Sequence, residues 1–148
     1  MRGSPITGVL LMTAVVVAAA PAPAVSGGYQ CYISDAVNAD FTPDTVKAEG
    51  VVDCSGYGAL GSVRFSVRLL KYDRDSKQWH TVKARARRYG KLKRKHHLAA
   101  ATTPCLPGTY RGVFRATLRD AAGRRVSVNV QKLGNLHVKE NCVVESPF

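Results

Sequence analysis

The chain is short of acid, of aromatic rings and of helical periodicity, and each shortage narrows what it can be. Its 148 residues hold 10 Asp and Glu against 22 Lys and Arg, a formal charge of +12, with a single Trp. That balance points to anionic partners or surfaces. No Gly-x-Ser-x-Gly, no phosphate-cradling Gly-x-x-x-x-Gly-Lys, no Cys-x-x-Cys and no Asn-x-Ser/Thr is present. Without a nucleophile elbow, a phosphate loop or half a tetrahedral site, the expectation is a non-enzymatic protein with no cofactor and no metal. His96-His97 and Asp73-x-Asp75 do not change this. Adjacent strand residues point to opposite faces, and the aspartate pair lacks the further ligands of a calcium loop.

What is present begins with an address. Residues 1 to 26 carry one charge, Arg2, then 13 residues without charge from Gly8 to Ala20, then a Pro- and Ala-rich segment. A bilayer span needs about 20 residues, so the pattern reads as a secretory signal peptide cut after Ala24 or Ser26. The remaining 27–148 segment is expected to be one secreted, extracellular domain, with 21 basic and 10 acidic groups.

Cys31, Cys54, Cys105 and Cys142 all lie in that segment. An even count in an oxidising compartment implies two disulfides. Spacing does not choose among three connectivities. The expectation taken here is nested, Cys54 with Cys105 and Cys31 with Cys142, tying first strand to last and joining two interior strand positions.

Period-two alternation runs through this segment. Val63, Phe65, Val67 and Leu69 alternate with Arg64, Ser66 and Arg68, and Tyr110, Gly112, Phe114, Ala116 and Leu118 alternate with Arg111, Val113, Arg115, Thr117 and Arg119. Val82, Ala84 and Ala86 are expected on one face of a further strand and Lys83, Arg85 and Arg87 on the other. Val126, Val128 and Val130 follow as another apolar set. Residues 73–77 and 120–123 read as hairpin loops. Weaker runs bring the total to seven or eight strands, which predicts an all-β, antiparallel sandwich, with a small closed barrel as the alternative.

The order Cys54, Trp79, Cys105, with Gly108-Thr109-Tyr110 entering a late strand, resembles that of immunoglobulin-like domains. Tyr110 here follows the second Cys, whereas the corner tyrosine of that fold precedes it by two residues. Through Val63 to Leu70, Trp79 to Val82 and Cys105 to Arg111, the segment resembles small secreted immunoglobulin-like proteins of bacteria with no assigned role. These are strand, turn and core residues, so the resemblance implies architecture and no active site.

The strongest local feature is Lys83 to His97, with eight Lys or Arg and no acid. Lys83, Arg85, Arg87, Arg88, Lys91, Lys93, Arg94 and Lys95 are the candidate anion-binding residues, with Tyr89 as a candidate stacking ring. Charge is segregated: residues 27–55 hold five acids and one base, residues 64–95 thirteen bases and two acids. The leading expectation is a binding module for an anionic polymer, a membrane surface or an acidic protein partner. The alternatives are a secreted inhibitor or toxin-like protein, and a structural domain whose basic loop only protects sheet edges.

Overall fold

The computed structural model describes residues 30–40, 44–57 and 60–145. The expected signal segment lies outside the described residues. Among the described residues nine strands form, β1 Tyr32–Asp40, β2 Thr45–Asp53, β3 Ser62–Asp73, β4 Gln78–Tyr89, β5 His96–Thr102, β6 Gly108–Arg119, β7 Arg125–Lys132, β8 Leu136–Val138 and β9 Val144–Glu145. Single 3-10 turns occur at Ser55–Tyr57 and Glu140–Cys142. The count exceeds seven or eight because the last weak run divides into two very short strands.

The strands make two antiparallel sheets, β1-β2-β5 and β4-β3-β6, with β7 and β8 sharing the far edge of β6 and β9 added to β8. Three strands facing β4-β3-β6-β7 in this order is the core arrangement of an immunoglobulin-like sandwich. The alternations explain it: Val63, Phe65, Val67 and Leu69 of β3 and Tyr110, Phe114, Ala116 and Leu118 of β6 are buried. They face Ile33, Val37, Val46, Ala48, Val52 and Ala100 of the smaller sheet. Gly50 in β2 permits close approach of the sheets, since a Cβ there would stand 2.9 Å from Phe114 and 3.0 Å from Phe65.

Tyr110 supplies the fold's corner: its hydroxyl donates to the Leu106 carbonyl at 2.7 Å. Burial pushes the phenol's pKa up, keeping it a donor. Its position after Cys105 ceases to be anomalous, because Cys105 lies in the β5–β6 connection and not in a core strand.

The disulfides correct the nested expectation. Cys31 pairs with Cys54, and Cys105 pairs with Cys142. Cys54 leaves β2 beside the start of β5, whereas Cys105 follows the end of β5. The seven-residue length of β5, at about 3.4 Å per residue, separates them far beyond the roughly 7 Å Cα reach of a bridge. Cys31 and Cys54 instead extend the Tyr32–Asp53 pairing by one step, with Cα atoms 4.6 Å apart. No bridge joins the two sheets; Phe65 and Phe114 fill the space beneath Gly50.

The apolar set of β7 is divided: Val126 packs against the core, and the other two valines do not. Val128 opposes Thr117 and Val130 opposes Arg115, so both stand on the outer face of the large sheet. Ser127 and Asn129 take the inner positions, opposite Leu118 and Ala116. Asn129 donates its side-chain amide to the Cys31 carbonyl at 3.0 Å, a demand of the backbone just before β1 that no valine can meet.

Candidate anion-binding surface

The eight candidate residues do not form one patch. β4 is an edge strand hydrogen-bonded to β3, and positions 80–88 are exposed on both faces. Lys83 opposes Leu69, Arg85 opposes Val67 and Arg87 opposes Phe65. Directly opposed residues share a face, so these three lie on the side of the sheet that carries the core, overhanging its margin. Ala84 and Ala86 lie on the outer side, opposite Arg68 and Ser66. The charged set Lys83, Arg85 and Arg87, and not the apolar Ala84 and Ala86, thus takes the core side. Alternation along β4 reports no burial, because positions 80–88 stay exposed on whichever side they fall. Val82 falls at the register shift that breaks the pairing between Leu69 and Leu70.

Lys91, Lys93, Arg94 and Lys95 occupy the exposed turn from β4 to β5, at the end of the sandwich where β3 begins. That turn is anchored: Leu92 is buried among the core side chains, and an Nε2 of His96 lies 2.7 Å from the Lys91 carbonyl oxygen. Tyr89 stacks on His96 with ring centroids 4.0 Å apart and donates its hydroxyl to the His97 carbonyl. Its ring is thus already used within the protein, contrary to the expectation of a free stacking platform. Leu92, a lone apolar residue within a basic run, carries no local sequence signal of its burial.

Lys95 lies 3.7 Å from Asp53 of the acidic sheet. Hydrogen bonds from Ser55, and then the Lys95 ammonium, hold the Asp53 carboxyl below its ordinary range. This is where the basic segment docks on the acidic strands.

Arg88 opposes Arg64 on the outer face of the large sheet. There it joins Arg68 of β3 and Arg115 of β6, the latter opposite Ser66. In rows across the sheet, the outer face reads Arg88-Arg64-Thr117-Val128, then Ala86-Ser66-Arg115-Val130, then Ala84-Arg68-Val113-Lys132. Arg64, Arg68, Arg88 and Arg115 are exposed and, among the described residues, make no ion pair. Between them lies a depression of about 260 Å³ lined by Ser66, Arg68, Val113, Arg115 and Val130.

Two neighbouring arginines are already committed. Arg111 lies 4.1 Å from the Trp79 ring centroid and donates to Asn135 Oδ1, and Arg119 donates to the Gly123 carbonyl at 2.7 Å. The four uncommitted guanidiniums, spaced by alanine, serine and threonine, make the outer face a cationic checkerboard.

No family profile matches the chain, and no curated protein matches it. Among solved structures, one named pT26-6p aligns at a TM-score of 0.47 with 12% identity, over 69% of this chain and 21% of that one. The chain thus spans about a fifth of that protein's length, and a likeness at this level bears on neither fold nor function.

Proposed function

We propose that this protein is a secreted, non-enzymatic module that binds an anionic polymer through the outer arginine face of its larger sheet. The observation that carries the reading is Arg64 directly opposite Arg88, with Arg68 and Arg115 beside them and no carboxylate among their cross-strand partners. Like charges directly opposite destabilise a sheet, so folding gains nothing from this arrangement, while a polyanion would relieve it. The inward row Lys83, Arg85 and Arg87 has a sufficient explanation in edge protection, since inward-pointing charge on an edge strand blocks pairing with another chain. The turn at Lys91, Lys93 and Arg94 adds to the field at one end. Two disulfides fit an oxidising compartment, and the signal-like 1–26 segment supports export.

The test is binding of the oxidised protein to heparin, duplex DNA and anionic phospholipid vesicles across a salt series. Replacing Arg64, Arg68, Arg88 and Arg115 by Gln should weaken heparin binding roughly tenfold or more at low salt and flatten the salt slope, because fewer counterions are released. Neutralising Lys83, Arg85 and Arg87 should cost less. Equal losses from the two sets, or tight binding to one protein that survives high salt, would overturn the assignment. Binding confined to vesicles would replace the polymer by a membrane.

A further inference from the structure

At the end of the sandwich away from the basic turn, a cleft of about 840 Å³ opens between three segments. Lys71, Tyr72 and Arg74 come from the end of β3 and its turn, Pro107 to Thr109 from the start of β6, and His137 to Glu145 from the β8–β9 region. The size is that of a small-molecule site. The Cys105–Cys142 bridge joins the second segment to the third. Next to it Asn141 and Cys142 both adopt left-handed backbone, with φ of 57° and 59°. Two successive side-chain-bearing residues in that region are costly, and a covalent clip holds them there.

The cleft's charges are unequal in their freedom. Lys139 and Glu145 neutralise one another at 2.9 Å. Asp73 is engaged by Ser76 and the Asp75 N–H within its own turn, so it does not serve Arg74. Lys71 and Arg74 make no ion pair among the described residues, against one remaining carboxylate, Glu140. Lys71 is half-buried, with its ammonium 5.5 Å from the Tyr110 ring centroid. A Cβ at Gly108, whose φ is 154°, would fall 2.5 Å from Lys71 Cε, so the missing side chain lets the lysine stem cross the β6 backbone. Pro107, Val138 and Val143 supply apolar lining to the same cleft, and Val143 is 56% exposed. Leu106 and Val144, beside them in sequence, are exposed as well.

We propose that this cleft binds a small organic anion with an apolar body, its headgroup toward Lys71 and Arg74 and its body along Pro107 and Val143. The site is independent of the arginine face and stands or falls separately. The test is a titration of the isotope-labelled oxidised protein with octanoate, with octanol and octyltrimethylammonium as neutral and cationic controls, read by amide chemical shifts.

Octanoate should give saturable shifts at Gly108, Thr109, Val138 and Val143, at least fivefold tighter than octanol. Lys71→Met should weaken it fivefold or more. Arg74→Gln and Val143→Asp, at exposed positions, should do likewise and carry the test if the half-buried Lys71 variant fails to fold. The quadruple arginine-face variant should leave octanoate binding unchanged. Equal responses to octanoate and octanol, absence of saturable shifts in the cleft, or loss of binding in the arginine-face variant would overturn the proposal.

Discussion

The strands of the smaller sheet carry Asp35, Asp40, Glu49 and Asp53 against Lys47, whereas those of the larger sheet carry twelve Lys and Arg against Asp73 and Glu145. The difference extends to how the charges are used. In the smaller sheet Glu49 lies 3.6 Å from Lys47 and 3.3 Å from His97, and Asp53 is held by Ser55 and Lys95. In the larger sheet the outer guanidiniums face one another. Charges paired internally, as those of Glu49 and Asp53 are, leave little to offer a partner, while charges that repel keep their electrostatic free energy available for binding.

The largest effect that sharpens this contrast concerns the smaller sheet. Replacing Cys31 and Cys54 by Ala should destabilise the protein by about 3 kcal/mol in a chemical denaturation experiment, from the unfolded-chain entropy of a loop this long. Peptide mapping of the oxidised protein should recover Cys31 joined to Cys54. A Cys54–Cys105 peptide would break the topology on which the comparison rests.

Next comes Asp35 of the smaller sheet, one of whose carboxylate oxygens lacks a partner among the described residues. It opposes Gly50 on the inner face, and its Oδ2 is buried without a hydrogen-bond partner. Burial pushes its carboxyl pKa up. A raised carboxylate pKa means that the folded state binds the proton more tightly than the unfolded state does. This group therefore favours folding at acid pH and opposes it once ionised. Asp35→Asn should raise stability at neutral pH by about 1 kcal/mol, a Tm increase of roughly 4 °C. The gain should vanish as pH falls below the ordinary aspartate range. A gain independent of pH would show that the charge is not its source.

The smallest effect lies on the larger sheet. Arg88→Thr removes one of two directly opposed guanidiniums and should stabilise the fold by a few tenths of a kcal/mol at low salt. The gain should disappear at high salt as the repulsion is screened. The same variant should weaken heparin binding. Stabilisation together with lost affinity is the signature of charge retained for binding, and destabilisation by Arg88→Thr would remove that argument.

The alternations in β3 and β6 were legible because both strands lie in the middle of the sheet, where one face is packed and the other is not. Arg64, Arg68 and Arg115 could be read as outward for the same reason. The β4 alternation was misleading because residues 80–88 of this edge strand are exposed on both faces and obey no burial constraint, so Ala84 and Lys83 could exchange sides without cost to the core. In β7 the outward position of Val128 and Val130 was not legible, because Asn129 takes the inner position to serve a backbone carbonyl. Nothing local in the sequence marked Leu92 as a core residue or brought Lys71, Pro107 and Val143 to one cleft.

By itself the sequence determined the all-β class, the hairpin turns, the presence of two disulfides and the separation of acid from base along the chain. These follow from local alternation, turn chemistry and composition, which act over a few residues or none. Tertiary structure alone decided which cysteines meet, which side of β4 carries its charges and that Arg88 stands against Arg64. Each of these depends on strand register and on which part of one sheet the other covers, and both are set by packing between residues far apart in the chain.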